Sequence, residues 1–326
     1  MKTRSHASTP VPRPVTIAHR GASGYLPEHS LAAKALAHAM GADFIEQDIV
    51  ATADDELIVL HDIHLEQVTD VAQRFADRSR DDGRYYARDF TLAEIKQLRL
   101  RERVDADGKP VFASRFPTGF TPFAVPTLAE ELALIRGLNR SRQSTTGIYP
   151  EIKKPEWHRN EGVDIAPLLL EILETFGYPN TPNQVWLQCF DLAENDRLRQ
   201  HWAAPYRLVQ LIGEDSWNES TTRYAELLSP GGLTPLKGTV DGIGPWIPHL
   251  VIQSDGGDLL GTHLIEEAHA LELEVHPYTL RADALPSGFN TLEELLAFLT
   301  REGIDGVFCD FPDRAVAFFD NHGFAV

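Results

Sequence analysis

The sequence predicts an α/β fold in which about eight βα units close into a (β/α)8 barrel. Two observations support this prediction. Short apolar runs of strand length alternate with helical patterns along most of the chain, which is typical of parallel βα units. The length of 326 residues and the hydrophobic share of 43% suit one barrel with a sizeable core. An open, doubly wound sheet is the alternative that shows the same alternation.

The individual elements follow from these runs. The predicted strands are VTIAH, FIEQDIVAT, LIVLHD, TGIYPEIK, VWLQCFD, RLVQLIG, VDGIGPW, LEVHPYTL and DGVFCDFP. The second and third of these form a pair. The predicted helices include SLAAKALAHAMG, DIAPLLLEILETFG, THLIEEAHALEL, TLEELLAFLTREG and a last one near RAVAFFDNHG. The first helix is expected to begin after the cap residue Ser30 and to end at Gly41.

One region, residues 65–126, interrupts the alternation. It contains DVAQRFADRSRDDGRYYARDF, the helical TLAEIKQLR and the loop DADGKPVFASRFPTGFTPFAVP. We predict an insertion after an early strand. Its basic and aromatic residues either cover a pocket or form a solvated surface elaboration. The whole chain is predicted to consist of a flexible N-terminal segment, 1–14, and a single domain, 15–326, that includes this insertion.

The composition argues against several classes of partner. The formal net charge is −18, and an acidic surface disfavours nucleic acids and anionic membranes, although a local basic pocket can still bind a phosphate. No apolar run approaches the ~18 residues of a membrane helix, so stable membrane insertion is not expected. The two cysteines, Cys189 and Cys309, are predicted to be small buried residues, and a disulfide between them is left open. The oligomeric state is also left open.

Polar residues gather where the predicted strands end. Glu46 and Asp48 are two positions apart, so their side chains share one face of a strand. Glu151 and Lys153 have the same spacing. Because active groups collect at the carboxyl ends of barrel strands, we expect one common site. Its predicted members are His19, Arg20, Glu46, Asp48, His61, Asp62, Glu151 and Lys153.

The residue types in this set predict phosphate-ester cleavage. Glu46, Asp48 and Glu151 offer hard oxygen ligands that suit Ca²⁺ or Mg²⁺ better than zinc. A cation would also explain how three acids share one space, since they repel one another without it.

The cationic and imidazole side chains complete this chemistry. Arg20 and Lys153 supply positive charge for a phosphate. His19 and His61 can serve as general base and general acid near neutral pH. A metal and cations that stabilise the charged transition state, with imidazoles that move protons, together describe phosphate-ester cleavage.

At these residues the sequence resembles the glycerophosphodiester phosphodiesterase family. The similar segments are AHRGASGYLPEHSL, EQDIVATADDELIVLHD and YPEIKKP. Further segments resemble the bacterial, often periplasmic, branch of that family: DRSRDDGRYYARDFTLAEIK, LQCFD, VQLIG, DGIGP, VHPYTLR and FCDFPD. The resemblance runs from about Val15 to about Phe319. It implies a TIM barrel with a small insertion. It also implies hydrolysis of glycerophosphodiesters, such as glycerophosphocholine or glycerophosphoethanolamine, to sn-glycerol 3-phosphate and an alcohol.

The resemblance also implies roles for single residues. The implied roles are catalysis for His19 and His61, metal binding for Glu46, Asp48 and Glu151, and phosphate contact for Arg20 and Lys153. The metal implied is calcium, and magnesium is compatible with the same oxygen ligands. We expect His19 to act as the base and His61 as the acid. The nucleophile is either water or the glycerol hydroxyl of the substrate.

Other candidates surround this set. Gly21 and Gly24 are expected to let the chain turn sharply after the first strand. Glu28 orients that loop, contacts a substrate hydroxyl, or is only a charge at a helix start. Residues that line the glycerol or alcohol pocket, or only pack at the rim, are Gln188, Phe190, Trp246, His276, Tyr278 and Asp310. Histidines expected on the surface are His29, His38, His64, His263 and His269.

Two other functions and two locations stay open at this stage. A phospholipase D-type enzyme that cleaves head groups, or a binding protein without activity, would use the same barrel. The resemblance implies a periplasmic location. The opening stretch MKTRSHASTPVPRP has no apolar core of a signal peptide, so the location would be cytoplasmic if the chain is complete as given.

Overall fold

The computed structural model describes residues 12–119, 122–254 and 256–322, and it shows a nearly closed barrel of parallel strands with helices outside. The strands within these residues are β1 (Val15–Ala18), β2 (Phe44–Ala51), β3 (Leu57–Val59), β4 (Gly147–Ile152), β5 (Trp186–Cys189), β6 (Arg207–Ile212), β7 (Gly242–Pro245), β8 (Val251–Gln253), β9 (Leu259–Gly261), β10 (Glu274–Val275) and β11 (Gly306–Cys309).

The barrel is formed by eight of these strands in the order β10-β7-β6-β5-β4-β2-β1-β11. The ring closes beyond the short strand β10, where the amide of Leu280 donates to the carbonyl of Phe308 at 2.8 Å. The amide of Phe308 in turn donates to the carbonyl of Pro277 at 3.0 Å. The predicted barrel is therefore confirmed, and the open sheet is excluded.

Three strands lie outside the ring. β3 pairs antiparallel with the end of β2, as the paired runs predict. β8 and β9 form a separate antiparallel ribbon. No strand was predicted there, because its two short arms lack the longer apolar run of the barrel strands.

The helices cover the outside of the barrel and part of the insertion. They are α1 (Leu31–Ala39), α2 (Val71–Arg74), α3 (Leu92–Ile95), α4 (Leu128–Arg142), α5 (Pro155–Asn160), α6 (Ile165–Thr175), α7 (Leu192–Asp196), α8 (Tyr224–Leu227), α9 (Leu264–Ala270), α10 (Leu292–Glu302) and α11 (Pro312–Asn321). The hydroxyl of Ser30 accepts a hydrogen bond from the amide of Ala33, which confirms the predicted cap of α1.

The inside of the barrel is filled by large side chains. The aromatic rings of Tyr149 and Trp186 stack with centroids 5.8 Å apart. The phenol of Tyr149 also bonds Nδ1 of His276 at 2.8 Å, which places His276 in this packing. The other members of the interior cluster are Ile17, Phe44, Val209, Leu211 and Phe308. Because this layer closes the interior, space for a ligand remains at the carboxyl ends of the strands.

The insertion has a small core of its own. Buried side chains of residues 65–125 pack together against Val50 and Ile58 at the β2–β3 pair. Examples are Leu65, Phe90 and Leu100. The insertion is thus a folded unit attached beside the early strands, which positions it near the carboxyl end of β2.

Three smaller observations concern the sequence predictions. Cys189 and Cys309 are buried and free of a disulfide. Most of the predicted flexible segment, residues 1–11, lies outside the described residues. In its last part, Arg13 forms ion pairs with Asp43 at 2.7 Å and with Asp320 at 3.0 Å. Among the described residues, no helix is both long and apolar enough to cross a membrane.

Candidate active site

The turn after β1 carries the first two predicted residues, His19 and Arg20. Arg20 has φ +57° and Gly21 has φ +86°. A Cβ on Gly21 would lie 2.8 Å from the backbone of α1, so glycine is required for both conformation and space. Gly24 differs from the prediction, because its φ is not in the left-handed region. It is needed for space alone, since a Cβ there would lie 2.4 Å from the ring of Phe311.

The three predicted carboxylates meet as expected. Glu46 and Asp48 lie on β2, and Asp48 is paired in register with Glu151 on the neighbouring strand β4. Oxygen atoms of the three side chains all lie within 4.8 Å of one another, and all three residues are buried. Strand periodicity and parallel register together explain this convergence.

Electrostatics make this cluster unfavourable without a cation. Burial, together with the charge of Asp48, raises the pKa of Glu46 to about 8. Burial also raises the pKa of Glu151 well above its usual range, against the nearby ammonium of Lys153. Burial opposes the ionisation of Asp48 too, but the charge of Lys153 and a hydrogen bond from His29 outweigh it and lower the pKa of Asp48. Two of the three acids therefore resist ionisation in this arrangement.

The donor set fits a divalent cation. Carboxylate oxygens are the ligands that hard cations prefer. Oδ1 of Asp48 is buried and has no hydrogen-bond partner among the described residues. A cation beside Glu46, Asp48 and Glu151 would satisfy this oxygen and remove the repulsion between the acids.

His19 is held by the far end of the chain. Its Nδ1 lies 2.6 Å from Oδ1 of Asp310, and its Nε2 lies 3.8 Å from Glu46. Asp310 is also bound by the guanidinium groups of Arg115 and Arg281, at 2.6 and 3.1 Å. Burial, and then the charge of Arg20, lowers the pKa of His19 to about 4. The ring is thus fixed through Nδ1, with Nε2 on the side of the carboxylates.

His61 is held by its own neighbour. Its Nδ1 lies 2.7 Å from Asp62, whose other oxygen accepts from Arg103 at 2.6 Å. Burial, and then the charges of Arg20 and Lys153, lower the pKa of His61. In both predicted histidines, therefore, Nδ1 contacts a carboxylate, and Nε2 is the ring nitrogen that does not contact this carboxylate.

The two predicted cations lie beside the triad. Nζ of Lys153 is 2.7 Å from Glu151. Arg20 donates to Glu28 at 3.0 Å and has Nε 3.5 Å from Asp48. Glu28 also receives two hydrogen bonds from Arg103, at 2.6 and 3.0 Å. This buried carboxylate therefore holds two guanidinium groups, and its contact with a substrate hydroxyl stays a prediction.

A cavity of about 340 Å³ opens at this group. The predicted site residues in its wall are His19, Arg20, Glu46, His61, Glu151, Lys153, Gln188, Phe190 and Tyr278. The amide of Gln188 donates to Glu46 at 2.9 Å, and the phenol of Tyr278 donates to the carbonyl of Ile212 at 3.0 Å. Trp246 also lines the cavity, together with Trp217, which the sequence did not single out.

The insertion reaches the same place. A second cavity of about 270 Å³ shares His19, Arg20 and His61 with the first and is lined on its other side by insertion residues. These include Arg103 and Arg115. The insertion therefore covers a pocket, which was one of its two predicted roles. Neither arginine was predicted individually, because only the tertiary fold brings residues so distant in sequence to this point.

Two of the predicted surface histidines are wrong. His29 is fully buried, and its Nε2 lies 2.7 Å from Asp48. His38 is also buried, and its Nε2 lies 2.9 Å from Asn139. Packing of α1 against α4 and the barrel encloses both rings. His263 and His269 are exposed as predicted, and His64 is half-buried.

Two curated proteins are similar to this chain over most of its length. The glycerophosphodiester phosphodiesterase of Haemophilus influenzae is 40% identical over 324 residues, which cover 93% of this chain and 89% of the relative. The enzyme of the same name from Treponema pallidum is 36% identical, with 93% and 90% covered.

Solved structures share the fold. A Silicibacter pomeroyi protein superposes with a TM-score of 0.71 at 22% identity, over 97% of both chains. The Oleispira antarctica phosphodiesterase OLEI02445, solved in complex with the product sn-glycerol-3-phosphate, gives a TM-score of 0.65 at 20% identity, over 94% of this chain and 97% of that one. These structures support the barrel.

The profile of the Glycerophosphoryl diester phosphodiesterase family matches residues 19–314. This range begins at His19 and includes the carboxylate triad, His61, Lys153 and Asp310. The family predicted from the sequence motifs is confirmed. This chain belongs to the glycerophosphoryl diester phosphodiesterase family.

Proposed function

We propose that this chain hydrolyses glycerophosphodiesters to sn-glycerol 3-phosphate and an alcohol, with the help of a divalent cation. The family and the names of the similar curated proteins support this reaction. The product bound to the Oleispira antarctica phosphodiesterase supports the identity of the released phosphate. The observation that carries the proposal is a buried carboxylate triad at one cavity, where two of its members, two cationic side chains and two carboxylate-held histidines form the wall.

Glu46, Asp48 and Glu151 would hold the cation. Calcium is favoured by the sequence resemblance, and magnesium is possible because both ions prefer oxygen ligands. When bound, the cation would neutralise the triad and stabilise the negative charge on the phosphoryl oxygens. In the proposal, Arg20 and Lys153 bind the remaining charge of the phosphate diester.

The histidines move the protons. Nε2 of His19 takes a proton from the nucleophile, while Asp310 holds Nδ1 and stabilises the imidazolium that forms. The oxygen of the nucleophile forms a new bond to phosphorus, and the bond from phosphorus to the alcohol oxygen breaks. Nε2 of His61 gives a proton to that leaving oxygen. The negative charge of the bound diester favours the protonated form of His61.

Two nucleophiles are consistent with this scheme. Water attacks directly and gives the products in one step. Alternatively, the glycerol hydroxyl of the substrate attacks first, and water then opens the cyclic phosphate. In both cases Phe190, Tyr278 and Gln188 form the wall that accepts the glycerol or alcohol portion.

Release of glycerol 3-phosphate from glycerophosphocholine tests the proposal. Purified protein is assayed with calcium, with magnesium, and after chelation, and glycerophosphoethanolamine serves as a second substrate. We expect release that stops on chelation and returns with one of the ions. No release from any glycerophosphodiester would overturn the proposed reaction. Release of head groups from sphingomyelin or lysophosphatidylcholine would point instead to a phospholipase D-type enzyme.

We also propose a periplasmic location, supported by the resemblance to the periplasmic branch. Fractionation of cells that express the complete gene, followed by the same assay on each fraction, tests this location. Activity confined to the cytoplasmic fraction would contradict it.

A further inference from the structure

A buried group of side chains lies behind the carboxylate triad, away from the cavity. It consists of His29 in the loop before α1, Lys34 on α1 and Glu131 on α4, and each of these residues is fully buried. None of them lines the cavity. They nevertheless connect directly to two of the proposed metal ligands, Glu46 and Asp48.

Lys34 is the centre of this group. Its Nζ donates to the backbone carbonyl of Glu46, lies 3.2 Å from Nδ1 of His29, and lies 3.2 Å from Oε1 of Glu131. An ammonium has three N–H donors and no acceptor. Lys34 thus has two hydrogen-bond acceptors and one carboxylate at ion-pair distance, and partners of this kind let a lysine tolerate full burial.

This arrangement determines the tautomer of His29. Because Lys34 can only donate, Nδ1 of His29 must accept, and the ring proton is on Nε2. Nε2 lies 2.7 Å from Oδ2 of Asp48, so His29 donates to that oxygen. The backbone of His29 is fixed as well, since its amide donates to the carbonyl of Arg20 at 2.9 Å.

The hydrogen bond from His29 makes the two carboxylate oxygens of Asp48 different. Oδ2 accepts from His29, whereas Oδ1 has no hydrogen-bond partner among the described residues. We propose that His29 and Lys34 are positioning residues for the metal site: His29 turns the Asp48 carboxylate so that Oδ1 faces the cation, and Lys34 holds the ring of His29 and the backbone of Glu46. This inference rests on the metal of the proposed function.

The physical reason is preorganisation. A carboxylate that can rotate must lose that freedom when it binds an ion, and a hydrogen bond to its other oxygen removes the freedom beforehand. Partners of this kind typically contribute about 10- to 100-fold to metal affinity. If His29 and Lys34 only fill space in the core, their substitution should lower the stability of the protein and leave the metal affinity of the folded protein unchanged.

Calorimetric titration of the chelator-treated protein with calcium alone, and with magnesium alone, tests the inference. We expect His29→Ala to weaken binding of the metal by about 10- to 100-fold. His29→Gln should restore most of the loss, because the amide of glutamine can donate to Asp48. His38→Ala is the matched control, because it removes a second buried histidine that contacts Asn139 and not the site.

A second variant covers the case in which His29→Ala does not fold. The double substitution Lys34→Met with Glu131→Leu replaces the buried pair by apolar side chains, and such replacements are often neutral for stability. It also removes the donors to His29 and to the Glu46 carbonyl. We expect this protein to fold, as monitored by circular dichroism and thermal unfolding without metal, and to bind the ion about tenfold more weakly.

The outcomes separate this inference from the proposed function. If the unmodified protein binds neither ion, the proposed metal site is wrong and the inference falls with it. If the unmodified protein binds an ion, and folded His29→Ala or the folded double variant binds it equally well, only the inference is overturned. Weaker binding in His29→Ala, with recovery in His29→Gln and no change in His38→Ala, supports it.

Discussion

The two histidines of the site are held in different ways. The partner of His19 is Asp310, which is 291 residues away in sequence and follows the strand that closes the barrel. The partner of His61 is the next residue, Asp62. The side chain of His19 is 9% exposed and that of His61 is 29% exposed. The orientation of His19 thus depends on closure of the barrel, whereas that of His61 depends on a local turn.

The insertion contributes an arginine to each pair. Arg115 binds Asp310, and Arg103 binds Asp62. Asp310 also has Arg281 as a second cation, while Arg103 is shared between Asp62 and Glu28. The two histidines thus have a similar local geometry but unequal supports. The pair of His19 with Asp310 is deeply buried, whereas the pair of His61 with Asp62 is partly exposed. Substitutions should therefore affect the two sides unequally.

The largest effect is expected from the histidines themselves. His19→Ala and His61→Ala should each lower kcat/KM for glycerophosphocholine by about 10²–10⁴-fold, since each removes a proton-transfer group. A glycerophosphodiester with a nitrophenol leaving group separates the two roles, because this leaving group needs no proton. With this substrate His61→Ala should recover most of its activity and His19→Ala should not. Recovery in His19→Ala alone would reverse the assignment of acid and base.

The aspartates test the inequality directly. Asp310→Asn should reduce kcat on the order of 10²–10⁴-fold, because an amide favours the wrong tautomer of His19. Asp62→Asn should reduce kcat by no more than about fivefold, because a partly exposed pair contributes about 1 kcal/mol or less. Steady-state kinetics of both variants give the comparison. Asp283→Asn is the matched control, since Asp283 binds Arg115 without touching His19. Equal losses in the two site variants would refute the unequal supports.

Arg103 tests the attachment of the insertion. Arg103→Ala removes the guanidinium partner of Asp62 and one of the two guanidinium partners of Glu28, and loss of one partner of a buried pair costs about 3–5 kcal/mol of unfolding free energy. Urea unfolding measures this loss. Arg74→Ala is the control in the same insertion, because its pair with Asp70 is on the surface and should cost less than about 1 kcal/mol. A loss for Arg103→Ala as small as that of the control would show that the insertion is held by its apolar core alone.

The smallest effect concerns pH. Burial, and then the charge of Glu28, raises the pKa of Glu102 from 4.5 to about 8. Between these values the folded protein binds the proton and the unfolded protein does not, so this group lowers stability as pH rises to about 8, and the effect then levels off. Glu102→Gln should remove this decline. Urea unfolding at several pH values between 5 and 8.5 checks it, and parallel curves for both proteins would contradict the prediction.

Much of the site could be predicted because it depends on local patterns. The spacing of Glu46 and Asp48 determines that they share a face. The order of βα units makes β2 and β4 parallel neighbours in the barrel, and their register then brings Glu151 opposite Asp48. These steps require only strand periodicity and the alternation of strands and helices. The division of the chain into domains remains a prediction.

The cationic residues that pair with the buried carboxylates of the site were harder to predict. Lys34 is on a short helix whose sequence suggests an exposed lysine, yet the buried face of α1 is formed by Ala33, Lys34, Ala37 and His38. Arg103 and Arg115 are in an insertion whose internal pattern says nothing of the barrel. No local signal distinguishes a surface cation from one that neutralises a buried acid.

The sequence by itself determined the barrel and the residues at the strand ends, because strand and helix periodicity specify which side chains share a face. The family was predicted separately, from the resemblance of its motif segments. The tertiary structure alone decided how those residues are supported: His29 and Lys34 behind Asp48, Asp310 on His19, and the insertion arginines over the cavity. The physical reason is that buried charges need partners, and the partners come from whichever elements the fold packs against them.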